Sequence, residues 1–155
     1  TRWAFFRGGK KMTYAEKITY LTGNFIELAQ FCLKNACRLV SLINRKEETK
    51  LDAGACFSLA EAEAKKKVEE YTFQGSEKIL EDLKDKGLPI KIFDKLSFVL
   101  KKRDYVVSRF YLDNASQIAT EQVVVYVSKI NELQEYCDAA LKLNQVLAKE
   151  CDKQY

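Results

Sequence analysis

The chain contains no histidine, one proline, one methionine and six glycines in 155 residues. Without histidine it lacks the commonest general base, the commonest metal ligand and the usual partner of a nucleophilic serine or cysteine, which excludes most hydrolase templates. Its five cysteines, Cys32, Cys37, Cys56, Cys137 and Cys151, are odd in number and show no C-x-x-C spacing, so zinc has no site among them. No phosphate-cradling glycine loop occurs. The longest apolar run, Val123 to Val127, falls far short of the roughly 20 residues that a spanning helix requires. Trp3-Ala4-Phe5-Phe6 is likewise too short for the apolar core of a secretory signal. These absences predict a cytoplasmic protein with no cofactor, no metal ion and no membrane contact. Its thiols should be reduced and mostly buried, where a cysteine behaves as a small hydrophobe.

What is present favours helices. Ala, Leu, Lys and Glu are plentiful, breakers are few, and 47% hydrophobic residues can bury one core without disulfides or metals. The expected class is all-α. Residues 1–11 differ in character from the rest and precede Met12, the only methionine. Arg7-Gly8-Gly9-Lys10-Lys11-Met12 can be encoded by AGGAGG, a short purine spacer and a start codon, which is a bacterial ribosome-binding site read as protein. The expectation is therefore a bacterial chain with a non-native, frayed leader over 1–11 and a single helical domain over 12–155. Lys plus Arg number 26 against 22 Asp plus Glu, and Arg2, Arg7, Lys10 and Lys11 supply the whole excess. The remainder is neutral, so net charge carries no hint of nucleic acid.

Thr13-Tyr14-Ala15-Glu16 is a capping box, in which threonine and glutamate each satisfy the other's backbone N–H at a helix start. From there Tyr14, Ile18, Leu21, Phe25, Leu28, Cys32, Leu39 and Leu42 recur at steps suited to one helical face, apart from the polar Asn35, and the pattern fades near Arg45. Residues 46–57 look like the longest connection. Ser58-Leu59-Ala60-Glu61 reads as a second capping box opening a helix that carries Val68, Tyr71, Ile79, Leu80 and Leu83 inward. Lys86-Gly87-Leu88-Pro89 ends it, with glycine left-handed, leucine folding back and proline forbidding continuation. A third helix is expected from about Ile90 to Leu112, with Ile92, Leu96, Val99, Val106 and Phe110 on one stripe. Asp113-Asn114-Ala115-Ser116 supplies turn and cap residues. The fourth helix then presents Ala119, Val123, Tyr126, Ile130, Leu133, Cys137, Ala140, Asn144, Leu147 and Cys151. So long a period near 3.5 asks for aligned neighbours, and an up-down-up-down four-helix bundle with long first and last helices is the simplest arrangement. The adjacent acids Glu69-Glu70 and Glu81-Asp82 read as surface charge.

Arg103 falls on the apolar stripe of the third helix, and a buried guanidinium needs partners. It either snorkels or pairs with acids of a neighbouring helix, or it belongs to a binding groove. From Gly87-Leu88-Pro89 to Leu133, the layout resembles HEPN domains (higher eukaryotes and prokaryotes nucleotide-binding). These are helical bundles in which a helix carries Arg, often Asn or Asp next, apolar residues, His, and soon an aromatic. Arg103-Asp104, Val106-Val107 and Phe110 or Tyr111 fit that outline, while Ser108 stands where the family has histidine. The resemblance implies a dimer with a groove for RNA or a nucleotide, in a toxin–antitoxin or defence context. It also implies degenerate catalysis, because serine cannot make that proton transfer. On this reading Arg103, Asp104, Ser108, Arg109 and Tyr111 bind the ligand, and no residue is assigned as catalytic. The third helix carries Lys91, Lys95, Lys101, Lys102, Arg103 and Arg109 against Asp94 and Asp104, a local positive excess that suits RNA. The alternative is a structural or adaptor bundle acting through helix-mediated association with a protein partner or a second copy.

Overall fold

The computed structural model describes residues 5–7, 10–45, 53–119 and 123–154. The described residues are all-α apart from one pair of short strands: β1 (Phe6–Arg7) pairs antiparallel with β2 (Lys10–Lys11). Six helices follow among the described residues: α1 (Tyr14–Arg45), α2 (Ala53–Tyr71), α3 (Ser76–Leu83), α4 (Ile90–Ser108), α5 (Phe110–Ala119) and α6 (Val123–Asp152). None is long and apolar enough to cross a membrane. As the periodicity predicts, the first and last are the longest, at 32 and 30 residues.

The Thr13 capping box forms reciprocally. Glu16 N–H donates to Thr13 Oγ1 at 3.2 Å, and Thr13 N–H to Glu16 Oε1 at 3.4 Å. Within the segment expected to fray, Phe5 is half-buried; its ring meets Tyr20 edge-on at 6.3 Å, and its carbonyl accepts from Met12 N–H at 2.9 Å. Trp3 lies outside the described residues.

The core lies between α1, α4 and α6. Phe25, Leu33, Leu39, Leu96, Leu100, Leu133, Leu143 and Leu147 are all fully enclosed there. The predicted stripes supply most of it. Asn35 and Asn144, the two polar breaks in the long stripes, meet each other: Asn35 Nδ2 donates to Asn144 Oδ1 at 2.8 Å, and Asn144 Nδ2 to the Leu28 carbonyl at 3.1 Å. A paired asparagine in an apolar seam fixes helix register, because any slip leaves its amide without a partner.

The direction of the chain departs from the up-down-up-down expectation. Tyr14 stacks on Tyr126, the Cys137 thiol lies on the Leu21 carbonyl, and the Cys151 thiol lies near the Asn35 carbonyl. Residue numbers rise together, so α1 and α6 run parallel, whereas the first and last helices of an up-down-up-down four-helix bundle oppose each other. The extra reversal comes from the expected second helix, which breaks at Thr72–Gly75 into α2 and α3. α2 returns along α1, with Glu63 meeting Arg45 and Ser41, and Tyr71 lying near Cys37. The small Ala60 and Ala64, both fully buried, let α2 approach α1 closely. α3 then runs back toward the top of α1, and α4 descends antiparallel to α6, with Phe98 and Lys102 both against Tyr136.

Other boundaries shift for identifiable reasons. Ser58 is not a cap: α2 already begins at Ala53, and Glu61 accepts from Arg38 instead. Residues 46–52 of the expected loop lie outside the described residues. Asp113–Ser116 is helical within α5, because Asn114 is buried and donates to the Phe110 carbonyl at 2.6 Å rather than capping a new helix. Gly87 is left-handed as expected, at φ +99°, where a Cβ would meet Ile43 Cγ2 at 2.9 Å, but it does not stop the helix: α3 ends at Leu83, and Asp85 takes the left-handed position after its cap, at φ +61°.

Candidate functional site

Arg103 occupies a stripe position on α4 one turn before the buried Val106. It faces the α2–α3 turn. Its Nη2 donates to the Gln74 carbonyl at 3.3 Å and to Asp104 Oδ1 at 3.1 Å, and only 11% of the side chain is exposed. Asp104 Oδ2 accepts from Ser76 N–H at 2.7 Å. That N–H belongs to the first turn of α3, whose own N-terminal residues supply no side-chain cap, so an acid from α4 caps α3. Burial pulls the Asp104 carboxyl up. Hydrogen bonds from the Ser76 backbone and hydroxyl, together with the Arg103 guanidinium, outweigh it and hold the carboxyl below the ordinary range. Arg103 is thus held within its own chain, by the acid next to it on α4 and by a backbone carbonyl of the α2–α3 turn, not by an acid of a neighbouring helix.

The other predicted residues spread away from this clamp. Ser108 Oγ donates back to the Asp104 carbonyl at 2.6 Å and is exposed. Arg109 ends α4 and lies at the surface, paired with Asp113 at 2.9 Å. Tyr111 OH reaches α1, 3.3 Å from Thr22 Oγ1. The fold thus joins Arg103 to Asp104 and keeps Ser108 one turn away. Arg109 and Tyr111 are sent to different neighbours, and none of the five lines the clefts described next.

The turn held by Arg103 and Asp104 carries Phe73, whose surface is 99% exposed. The sequence pattern reads the turn as helix; Gly75 is only a weak local sign of a break, which the Asp104 cap on Ser76 completes. Between α1 and α2 runs a groove of about 470 Å³, lined mostly by Gly23, Ile26, Phe31 and Val68, with Glu27 and Lys34 among its polar residues. It exists because α2 is shorter than α1 and covers only part of its outward face. A second cleft of about 440 Å³ between α1, α2 and α3 is charged. There Glu63 takes both Ser41 and Arg45, Tyr71 donates its hydroxyl to Asp82, and Lys67 pairs with Glu70. Burial, then the Asp82 carboxylate, push the Tyr71 hydroxyl up and keep it protonated. Further apolar surface gathers at the α4–α5–α6 end, where Val107, Leu112, Val123, Val124 and Val127 are exposed.

All five cysteines are thiols, and Cys32, Cys37, Cys137 and Cys151 are buried. Burial pushes Cys32, Cys37 and Cys137 up to about 12 and Cys151 to about 11, so these four are protonated and poor nucleophiles near neutral pH. Among the described residues no group of three or more ligating side chains could hold a metal ion. The chemistry on display is therefore apolar contact and surface charge. No family model matches the chain, and neither a curated protein nor a solved structure does.

Proposed function

We propose that this chain is an association module, a helical bundle that works by presenting apolar surface to another protein. The observation that carries this is Phe73. A phenylalanine side chain left in water forgoes about 1.5–3 kcal/mol of burial. Here the ring stands on a turn pinned just beyond it, at the Gln74 carbonyl and the Ser76 N–H. An aromatic on a rigid platform loses little freedom when it docks, which is how interface anchors concentrate binding energy. A photo-reactive phenylalanine analogue at position 73 tests the reading. Irradiation in cells should give discrete adducts that an analogue at exposed Glu81 does not, and equal labelling from the two positions would overturn it.

A second reading keeps the HEPN-like resemblance: a catalytically degenerate bundle that binds RNA or a nucleotide around Arg103, Asp104, Ser108, Arg109 and Tyr111. It is supported by the Arg-Asp and aromatic pattern and by the exposure of Ser108 and Arg109 on the helix that carries exposed Lys91, Lys95 and Lys101. It requires Arg103 to exchange Gln74 for the ligand. RNA affinity must then fall steeply as salt rises, and absent or salt-insensitive binding removes this reading. Ser108→His should confer metal-independent RNA cleavage if the family's site is otherwise retained.

A further inference from the structure

Gly23 sits inside α1, where glycine costs about 1 kcal/mol relative to alanine. A Cβ built on it meets nothing within 4 Å, so no neighbour among the described residues requires the missing side chain. The open space belongs to the apolar groove of Ile26, Phe31 and Val68. Glycine in such a place lets a group from outside approach the helix backbone closely. Five residues after Val68, on the turn that follows the same helix, stands the exposed ring of Phe73.

We propose that the occupant of this groove is a second copy of the chain, with the Phe73 ring of each copy seated against Gly23, Ile26 and Phe31 of the other. The inference rests on the association reading and names its partner. A two-fold contact uses the same patch on both molecules, so that patch must carry both halves of the fit. Here α1 supplies most of the socket, and Val68, its wall on α2, stands five residues before the knob at Phe73. The charges are complementary in the same way. The groove carries Glu27 and Lys34, and the shoulder beyond Phe73 carries exposed Glu77 and Lys78. Each lip of opposite sign thus finds a counterpart when Glu27 faces Lys78 of the partner subunit and Lys34 faces Glu77 of the partner subunit.

Sedimentation velocity of the full chain over a concentration series tests this. The wild type should show a reversible monomer–dimer equilibrium, and Phe73→Asp and Gly23→Leu should each weaken it by about tenfold or more. Leucine favours helix over glycine, so loss of the dimer in Gly23→Leu with undiminished helical circular dichroism cannot be misfolding. Lys78→Glu should weaken the dimer, and Glu27→Lys added to it should restore affinity. A wild type that stays monomeric throughout, or a dimer constant unmoved by Gly23→Leu, overturns the proposal. If the monomer nevertheless gives specific adducts with a different protein through position 73, the second copy is excluded and the association reading stands. If it gives none, both fall.

Discussion

The α1–α6 seam and the α2–α3 arm are positioned by opposite means. In the seam two helices of about thirty residues lie parallel, with most stripe residues buried and one asparagine pair setting the register. The arm has a thinner apolar face, with Ala60 and Ala64 on α2 and Ile79, Leu80 and Leu83 on α3. Polar pins finish its placement: Arg38 to Glu61 at 2.5 Å, Arg45 to Glu63, and Asp104 to Ser76 N–H. Apolar burial supplies most of the free energy but is non-directional, whereas ion pairs near the surface stabilise by only about 0–1 kcal/mol each. The seam therefore holds the molecule together, and the pins determine where the arm goes.

Truncation should break this symmetry most sharply. Leu133→Ala in the seam should cost about 2–5 kcal/mol, and Val68→Ala on the arm, half-exposed in the groove, about 1 kcal/mol or less, both read by denaturant unfolding. Comparable losses would mean that the arm is as much a part of the core as the seam. Next in size is Asn144→Ala, which leaves the Asn35 amide N–H without its acceptor and should cost about 1–3 kcal/mol. Replacing Asn35 and Asn144 together with leucine should recover most of that loss while loosening the register, visible as broadened amide resonances along α1 and α6.

Asp104→Ala removes the cap of α3 and leaves Arg103 with the Gln74 carbonyl alone, at an expected cost of about 1–2 kcal/mol. This contribution depends on pH. Because the folded carboxyl titrates below its unfolded value of about 3.9, the unfolded chain binds the proton first on acidification. The stability difference between wild type and variant should be full above about pH 4 and fade as pH falls through the folded value. A difference that persisted at lower pH would show that Asp104 acts by shape rather than by charge.

Thiol labelling sharpens the contrast without changing stability. Half-buried Cys56 on the arm should react first, and Cys37, under the arm beside Tyr71, should follow when the arm opens. Cys32, Cys137 and Cys151 in the seam should wait for global unfolding. Simultaneous labelling of Cys37 and the seam thiols would make arm and seam one cooperative unit.

The sequence by itself determined the all-α class, the long first and last helices, the Thr13 capping box and the left-handed Gly87 before α4. Each of these is written in neighbours three or four residues apart. The inward stripes were legible for the same reason, as were the buried thiols on them. The tertiary structure alone decided the rest. Whether Thr72–Gly75 continues a helix or reverses it depends on Asp104, 28 residues downstream of Ser76, supplying the cap that the local sequence withholds. That reversal makes α1 and α6 parallel, draws Arg103 and Asp104 into a clamp, and leaves Phe73 in water. A stripe pattern records which face a helix buries; it does not record the direction of its neighbour or which polar group will meet its end.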